Sequence, residues 1–334
     1  MEKAERTFVR GMYSESYGLD HIRQAQLAAP RVRDESVVVD DGSVGHSGTA
    51  EERASSKGRG WWRIGPGDDQ FLTQTLQIHF VELAPRSRAN GHGHQNEACF
   101  YILDGRGFEM HDGIRYDWKK DDLVFVHPDS FHQHNNPYDE KALCLVMKAK
   151  STWMFMGLIQ QGRPGPIDRP DEFGEREEWG RIWTPGSVDR KKVVSVEDTT
   201  WENTPLGRVR TINSIAQNNH RQWSVDVYEL DIPAGGRSGK YWKMADEVMY
   251  IKSGSGYSLH WEVQAEIAEK YYARIALEPK RYDFNKGDTL YIPQNTIAQH
   301  FAADGTPLRM ISSQNRLFKH LGYDAVHYFE PASA

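Results

Sequence analysis

The sequence has little of several features that define common protein classes. Only two cysteines, Cys99 and Cys144, occur in 334 residues, so a disulfide framework does not stabilise the fold. Both lie in apolar runs, where we expect reduced core side chains. No apolar stretch approaches the roughly 20 residues that cross a bilayer. The first segment, MEKAERTFVRGMYSES, has no apolar signal-peptide core. We therefore expect a cytoplasmic protein without a membrane partner.

An excess of positive charge is also missing. Lys and Arg number 41 and Asp and Glu 47, for a formal net charge of −6, and no run of basic residues occurs. Such a chain has no electrostatic surface for nucleic acid or anionic lipid. Hydrophobic residues make up 38% and aromatics 11%, which suffices for ordinary packed cores. The length suits two domains.

Short apolar segments recur from Trp61 onward, separated by turn residues such as Asp104-Gly105 and Asp112-Gly113. Runs rich in β-forming residues at this spacing are typical of an antiparallel barrel or sandwich. The sequence therefore predicts an all-β fold. The first set of segments is Thr75–Leu83, Cys99–Leu103, Asp122–Val126 and Ala142–Met147.

The pattern occurs twice along the chain. Four segments of the first copy have counterparts, in the same order, in the second: Phe80–Leu83 with Val227–Leu230, Phe100–Gly107 with Met249–Gly256, Lys120–Val126 with Lys286–Ile292, and Ser130–His134 with Thr296–His300. Such self-similarity indicates a duplicated β-domain. We predict an N-terminal arm at 1–60, a first barrel at 61–160, a connector at 161–205 and a second barrel at 206–334.

Three segments fall outside this repeated framework. Asp20–Ala29 has the composition of one short helix that ends before Pro30. Residues 40–60 are rich in Gly, Ser and charge and predict a loop, which is a lid, an arm for oligomer formation or a plain surface loop. An insertion at about 262–281 in the second copy permits a short helix or a long hairpin.

Three histidines of the first copy have the spacing of a metal site. In a strand, residues i and i+2 face the same side, so His92 and His94 can both point into a barrel. His132 can meet them from across the interior. Imidazole is a good ligand for Fe, Zn, Ni and Cu, and three protein ligands leave the open positions that a catalytic metal needs. Three buried histidines meeting by coincidence is the alternative, but each would need a polar partner.

These segments resemble the two motifs of the cupin superfamily, G-x5-H-x-H-x3,4-E-x6-G and G-x5-P-x-G-x2-H-x3-N. The first motif corresponds to Gly91–Gly105 and the second to Asp122–Asn136. The resemblance covers about residues 70–315 and implies a bicupin: two antiparallel jelly-roll barrels, an N-terminal arm and a few short helices. The glutamate ligand of the motif is replaced by Ala98, and Glu97 should point to the opposite face of its strand.

A site of three histidines without glutamate is similar to that of the gentisate and salicylate 1,2-dioxygenases, bicupins whose N-terminal barrel holds Fe(II). The resemblance implies His92, His94 and His132 as the iron ligands. It also implies a ring-cleaving dioxygenase that uses O2 on a hydroxylated aromatic acid, and a homo-oligomer, either a dimer or a tetramer. Two oxygens of the substrate and O2 would take the open positions of the metal.

Two other classes remain open on the sequence. The same histidines could hold Zn, Mn or Ni for a lyase, hydrolase, decarboxylase or isomerase that does not use O2. The chain could also be a cupin that binds a small molecule without catalysis, since fold alone does not fix function.

The second copy has lost the histidines. Tyr241 replaces His92, Lys243 replaces His94 and Ala298 replaces His132, while Glu247 stands at the glutamate position and can pair with Lys243. We expect a structural barrel. A small-molecule pocket that uses Lys243, Glu247 and His300 is the alternative.

Several residues are candidates to act beside the metal. His134 shares a strand face with His132 and could be a base, an anchor for a substrate oxygen or an extra ligand, although its persistence as His300 also indicates a structural role. Arg88, as a catalytic residue, and Arg86, as a substrate-binding residue, could bind a carboxylate, with solvated loop charge as the alternative for at least one. Further substrate-binding candidates are Gln77, His79 and Trp153; for Trp153, core or interface is the alternative.

Overall fold

A computed structural model describes residues 31–33, 58–64, 75–89, 91–158, 161–162, 165–167, 169–177, 191–214 and 222–333. The predicted helix at Asp20–Ala29 lies outside these residues, as does most of the predicted loop at 40–60. That loop ends earlier than expected, because residues 58–60 already belong to a strand, Gly58–Ile64.

Thirteen strands are found among the described residues before residue 195. In chain order they are β1 (Val32–Arg33), β2 (Gly58–Ile64), β3 (Gln77–Leu83), β4 (Ser87–Arg88), β5 (His92–His94), β6 (Ala98–Asp104), β7 (Arg106–His111), β8 (Ile114–Lys119), β9 (Leu123–Val126), β10 (Ser130–Asn136), β11 (Ala142–Lys148), β12 (Gln161–Gly162) and β13 (Val193–Val194). Sheet 1 has the order β13-β9-β6-β11-β3-β2, and sheet 2 has the order β12-β5-β10-β7-β8, with β4 beside β10.

The second half repeats this arrangement of two antiparallel sheets. Its strands are β14 (Trp201–Thr204), β15 (Gly207–Asn213), β16 (Val225–Ile232), β17 (Lys240–Lys243), β18 (Glu247–Ser253), β19 (Ser255–Ile267), β20 (Tyr271–Ile275), β21 (Lys280–Asn285), β22 (Thr289–Ile292), β23 (Thr296–Ala302), β24 (Leu308–Asn315) and β25 (Val326–Glu330). Sheet 3 has the order β1-β22-β18-β24-β16-β15-β14, and sheet 4 has the order β20-β19-β23-β17-β25, with β21 beside β19.

Helices are few and short in the described part of the chain. The two α-helices among the described residues are α1 (Lys150–Phe155) and α2 (Leu317–His320), and 3-10 turns occupy Pro170–Glu172 and Val196–Asp198. Within the part of the chain that the structure describes, no helix has the length and apolar character of a membrane span. The predicted insertion forms the hairpin of β19 and β20, with Val263 opposite Ile275.

The apolar runs of sheet 1 are continuous because both faces of the sheet are buried. Along β6, Ala98, Phe100 and Ile102 pack inside the first barrel, whereas Cys99 and Tyr101 pack against residues of sheet 3. Alternate residues of one strand point to opposite faces, so two cores can be filled from one segment. The two halves of the chain therefore share a core between sheets 1 and 3. Both cysteines are free and buried, as expected.

A buried polar cluster joins the halves beside this core. Glu229 of β16 is fully buried and accepts hydrogen bonds from the Tyr101 hydroxyl, from Arg210 Nη2 at 2.6 Å and from Lys252 Nζ at 3.0 Å. Lys252 also pairs with Asp121 of the first half at 2.7 Å. A buried carboxylate is tolerated when its oxygens are bonded and its charge is matched, and both conditions are met here.

Glu97 is a second polar link between the halves. Its buried Oε2 accepts the backbone N–H groups of Trp223 at 2.7 Å and Ser224 at 2.8 Å. Burial nevertheless raises the pKa of this carboxyl from 4.5 to about 7. The folded protein therefore keeps a proton that the unfolded chain releases, and stability falls as pH rises between these two values.

This shift predicts a pH effect that Glu97→Gln should remove. The amide oxygen can accept the same two N–H groups but does not titrate. From about pH 5 to about pH 8, the free energy of unfolding of the variant should gain about 2–3 kcal/mol relative to the wild type. Urea unfolding of both proteins at the two pH values measures this difference. Parallel pH profiles would show that Glu97 is ionised in the fold throughout.

Candidate metal centre

Strands β5 and β10 bring the three predicted ligands together. They pair antiparallel, with His92 directly opposite His132 and His94 opposite Ser130. The ring centroid of His132 lies 4.2 Å from that of His92 and 4.8 Å from that of His94. One ring nitrogen from each histidine lies within 4.8 Å of the other two. This geometry follows from the i, i+2 spacing of the first two histidines together with the register of the pair.

The donor atoms are buried and suited to a cation. His92, His94 and His132 have 6%, 4% and 0% of their surface exposed. Nδ1 of His132 lies 3.2 Å from the Ser130 carbonyl oxygen, to which it donates if it carries the proton. Nε2 of His132 is then an acceptor, and it has no hydrogen-bond partner among the described residues. A buried nitrogen of this kind is costly unless it is ligated. The triad therefore fits a divalent metal.

The pKa shifts of these histidines also favour metal binding. Burial, followed by the nearby imidazoles, lowers the pKa of His132 well below its usual value, and burial with the positive charge of Lys148 does the same for His94. Both rings are thus neutral, the form that binds a metal. The triad could hold a metal ion, and its chemistry does not fix which one.

The glutamate of the cupin motif is absent in space as well as in sequence. Ala98 faces the interior of the first barrel, among Phe100, Val124 and Val126. Glu97 faces the other way and is bonded to the backbone of Trp223 and Ser224. No carboxylate from this strand joins the group of three histidines among the described residues.

His134 lies beside the triad rather than in it. Its ring centroid is 5.5 Å from that of His132, and its Nδ1 is bonded to the buried Glu109 Oε1 of β7. A carboxylate on one ring nitrogen fixes the tautomer and leaves the other nitrogen for a proton or a ligand. The sequence analysis did not single out Glu109, although it faces His134 directly in the β7–β10 register.

His111 is a further buried histidine that sequence reasoning missed. It lies opposite His132 in the β7–β10 pair, with 6.0 Å between the ring centroids. Burial, followed by the charge of Lys192, lowers the pKa of His111 to about 3. Neither of its nitrogens has a hydrogen-bond partner among the described residues. The sequence contained a signal for this position. Alternate residues of a strand share a face, so His111 lies on the same interior face of β7 as Gly107 and Glu109.

Two of the predicted substrate-binding residues lie on sheet 1, together with a lysine that the sequence analysis did not single out. Gln77 and His79 are buried and share a face of β3 with Val81 and Leu83, which pack inside the first barrel. On the adjacent β11, Lys148 lies opposite Gln77. Within the described part of the chain Lys148 has no ion pair, and burial together with the charge of Lys150 lowers its pKa to about 7. Lys148, and less strongly Lys150, acts electrostatically on His79 and His94, so positive charge lies near the triad.

The structure does not bring the two predicted arginines to the triad. The guanidinium of Arg86 is 70% exposed and forms an ion pair with Asp139, with Nη2 to Oδ2 at 2.9 Å. Arg86 has φ 49° and lies in the turn between β3 and β4. Arg88 is exposed on β4, the short strand at the edge of β10. Both arginines are therefore charged side chains exposed to solvent, which was the alternative to a role in binding a carboxylate. Trp153 is half-buried on α1.

The second barrel carries a polar cluster where the first carries histidines. Tyr241 lies opposite Ala298 in the β17–β23 pair, which matches His92 opposite His132. The predicted pair of Lys243 and Glu247 is confirmed as a buried salt bridge. The Tyr241 hydroxyl donates to Glu247 Oε2 at 2.8 Å and lies 3.1 Å from Nε2 of His300.

Comparison with known proteins agrees with this architecture. Residues 79–148 match the family model described as a cupin domain. No curated protein matches the chain. Among solved structures, the salicylate 1,2-dioxygenase of Pseudaminobacter salicylatoxidans is 13% identical, with a TM-score of 0.63 over 90% of this chain and 88% of that one.

Two other similar structures are a vicilin and an oxalate decarboxylase. The vicilin of hazelnut, Corylus avellana, is 10% identical, with a TM-score of 0.58 over 90% of this chain and 88% of that one. An oxalate decarboxylase is 12% identical, with a TM-score of 0.58 over 90% of this chain and 80% of that one. Identity this low establishes the fold and leaves the reaction open. Residues 79–148 are therefore a cupin domain, and the chain has the all-β bicupin fold of these structures.

Proposed function

We propose that this protein is an Fe(II)-dependent dioxygenase that cleaves the ring of a hydroxylated aromatic acid related to salicylate or gentisate. The observation that carries the proposal is the convergence of three buried imidazoles, whose ring nitrogens lie within 4.8 Å of one another, with an Nε2 of His132 that has no hydrogen-bond partner among the described residues. The similarity to a salicylate 1,2-dioxygenase supports the substrate class.

In this proposal His92, His94 and His132 hold the iron. When bound, Fe(II) supplies open positions for substrate oxygens and for O2 and allows electrons to pass between them. Three neutral ligands leave the charge of the ion uncompensated, which favours an anionic substrate at the open positions. The apolar walls of the first barrel, including Phe100 and Val146, exclude water from the site.

Lys148 is proposed to bind the substrate carboxylate. It lies on the interior face of sheet 1, acts on His94, and has no ion pair among the described residues. An anion beside it would hold the ammonium in its charged form, so binding and protonation would reinforce each other. Arg86, which was predicted for this role, is instead paired with Asp139 at the surface.

The pair of Glu109 and His134 is proposed to handle the proton of the substrate hydroxyl. The Glu109 carboxylate holds Nδ1 of His134. Nε2 is then left to accept a proton when the hydroxyl binds, and the carboxylate stabilises the imidazolium that forms. Gln77 and His79 are proposed to border the substrate from sheet 1.

The proposal is tested by O2 uptake of protein purified anaerobically and loaded with Fe(II). The substrates would be gentisate, salicylates, aminophenols and catechols. We expect stoichiometric O2 consumption and ring opening with at least one carboxylated phenol. Iron-loaded protein that consumes no O2 across the panel would favour a metal-dependent lyase, hydrolase, decarboxylase or isomerase, a class for which the oxalate decarboxylase is the structural precedent. Absence of any stoichiometric metal would favour a binding protein.

The Lys148→Met variant tests how the carboxylate is bound. Loss of a charge-assisted hydrogen bond should raise KM for the carboxylated substrate by roughly 10-fold to 100-fold. The matched control is Arg86→Met, which removes an exposed cation and should leave KM unchanged. Equal effects of the two variants would indicate long-range charge rather than a contact at the site.

A further inference from the structure

The second barrel contains a cavity of about 260 Å³ between sheets 3 and 4. Its walls come from β15, β16, β17, β24, α2 and β25. An apolar cavity of about 150 Å³ can hold benzene, so this one has room for a substituted aromatic ring. It includes Tyr241 and Lys243, the positions at which the first barrel has His92 and His94.

The walls of the cavity are mainly apolar and aromatic. Val209, Val227 and Ala245 line it together with Phe318 and Tyr328. Aromatic side chains favour stacked or edge-on contact with another ring. Sites for small molecules combine such walls with a few polar groups that fix orientation.

The polar groups of this cavity converge on Glu247. Its Oε1 accepts from the Tyr228 hydroxyl at 2.5 Å and from Gln314 Nε2 at 3.0 Å, and its Oε2 accepts from Tyr241 and pairs with Lys243. The carboxylate is therefore occupied by protein donors. Lys243 has three N–H donors, and Glu247 is its ion-pair partner among the described residues. The floor of the cavity thus presents an ammonium donor to an acceptor on a ligand.

The charges around the cavity cancel. Lys243 is matched by Glu247, while Lys319 and Arg316 both pair with Asp226, at 2.5 Å and 2.7 Å. The remaining charged residue in the wall, Asp324, is exposed to solvent. A ligand that carried a full charge would lose its hydration in the buried part of the cavity, where the ionised side chains are already paired. An uncharged ligand does not meet this cost.

We propose that the cavity of the second barrel is a binding site for an uncharged one-ring aromatic compound whose carbonyl or hydroxyl oxygen accepts a hydrogen bond from Lys243. The ring lies among Tyr228, Phe318 and Tyr328. The site is separate from the metal centre of the first barrel and does not depend on the reaction proposed there.

Three probes that share a ring and differ in charge test the site on the full-length protein: benzamide, benzoate and benzylamine. Titration followed by saturation-transfer NMR should give a dissociation constant of about 1 mM or tighter for benzamide. Binding of benzoate and benzylamine at this site should be at least 10-fold weaker. Benzoate or benzylamine binding at this site as tightly as benzamide would overturn the proposal, as would no benzamide binding at all.

Variants locate the bound probe. Ala245→Leu adds volume inside the cavity without touching Lys243 or Glu247, and should weaken benzamide at least 10-fold. Tyr328→Leu changes a wall residue that is 36% exposed, so the fold should persist while binding weakens. His132→Ala, in the other barrel, should leave benzamide affinity unchanged. Unchanged benzamide binding in both cavity variants would refute the site, as would loss of benzamide binding in His132→Ala. Neither result changes the O2 uptake expected of the proposed function.

Discussion

Replacing His132 with alanine is expected to abolish metal binding while the protein remains folded. The side chain is fully buried, lies opposite His92 on the neighbouring strand, and has an Nε2 without a hydrogen-bond partner among the described residues. Loss of residues that only support a ligand already costs 10-fold to 100-fold in metal affinity, so loss of a ligand should cost more than about 100-fold. Metal content by plasma mass spectrometry, with a circular-dichroism melt as the folding check, measures the effect.

The matched control is His260→Ala in the second barrel. His260 is a buried imidazole opposite Ala298, so the variant removes a similar side chain from the copy that lacks the triad. Metal content should stay at the wild-type level. Retention of stoichiometric metal by His132→Ala would refute the triad as the site, and loss of metal in His260→Ala would refute a single site in the first barrel.

Replacing Glu229 with alanine is expected to lower the free energy of unfolding by about 3–5 kcal/mol. The change leaves the buried guanidinium of Arg210 and the ammonium of Lys252 without the carboxylate that bridges them. The Tyr101 hydroxyl of the first half loses one of its two carboxylate acceptors and keeps Asp121. Because this cluster joins the halves, urea unfolding should show the loss as a lower midpoint with a similar slope.

Two controls separate this effect from ordinary charge removal. Tyr101→Phe keeps the ring and removes the hydroxyl, which contacts Glu229, Asp121 and Lys252, while the carboxylate that matches both cations stays in place, so about 1–3 kcal/mol is expected. Glu266→Ala breaks the ion pair with Arg274, whose side chain is 71% exposed, and should cost no more than about 1 kcal/mol. If Glu229→Ala cost no more than Glu266→Ala, the buried cluster would not stabilise the contact between the halves.

The repeated fold could be predicted because strand patterns and turn residues are local. The apolar run of β6 predicted a strand. It did not predict that the two faces of this strand pack in different cores, because that depends on the second half of the chain. Ala98 faces the first barrel and Tyr101 faces the second half of the chain. The expectation of a dimer or tetramer stays a prediction.

The clustering of the three histidines could be predicted for the same reason, whereas the residues around them could not. The spacing of His92 and His94 fixes a common face within one strand. Lys148 and Glu109 come from other strands, and their place near the triad depends on sheet register. Arg86 was assigned a role in binding substrate because it precedes the motif in sequence, but its side chain is exposed and paired with Asp139.

The most direct test of the proposed function is a single turnover of iron-loaded protein with a carboxylated phenol under isotopically labelled O2. The proposed function predicts one iron per chain, bound in the first barrel, and an opened ring that carries both labelled oxygen atoms. A ring-opened product without label, or a decarboxylated product with an intact ring, would contradict it.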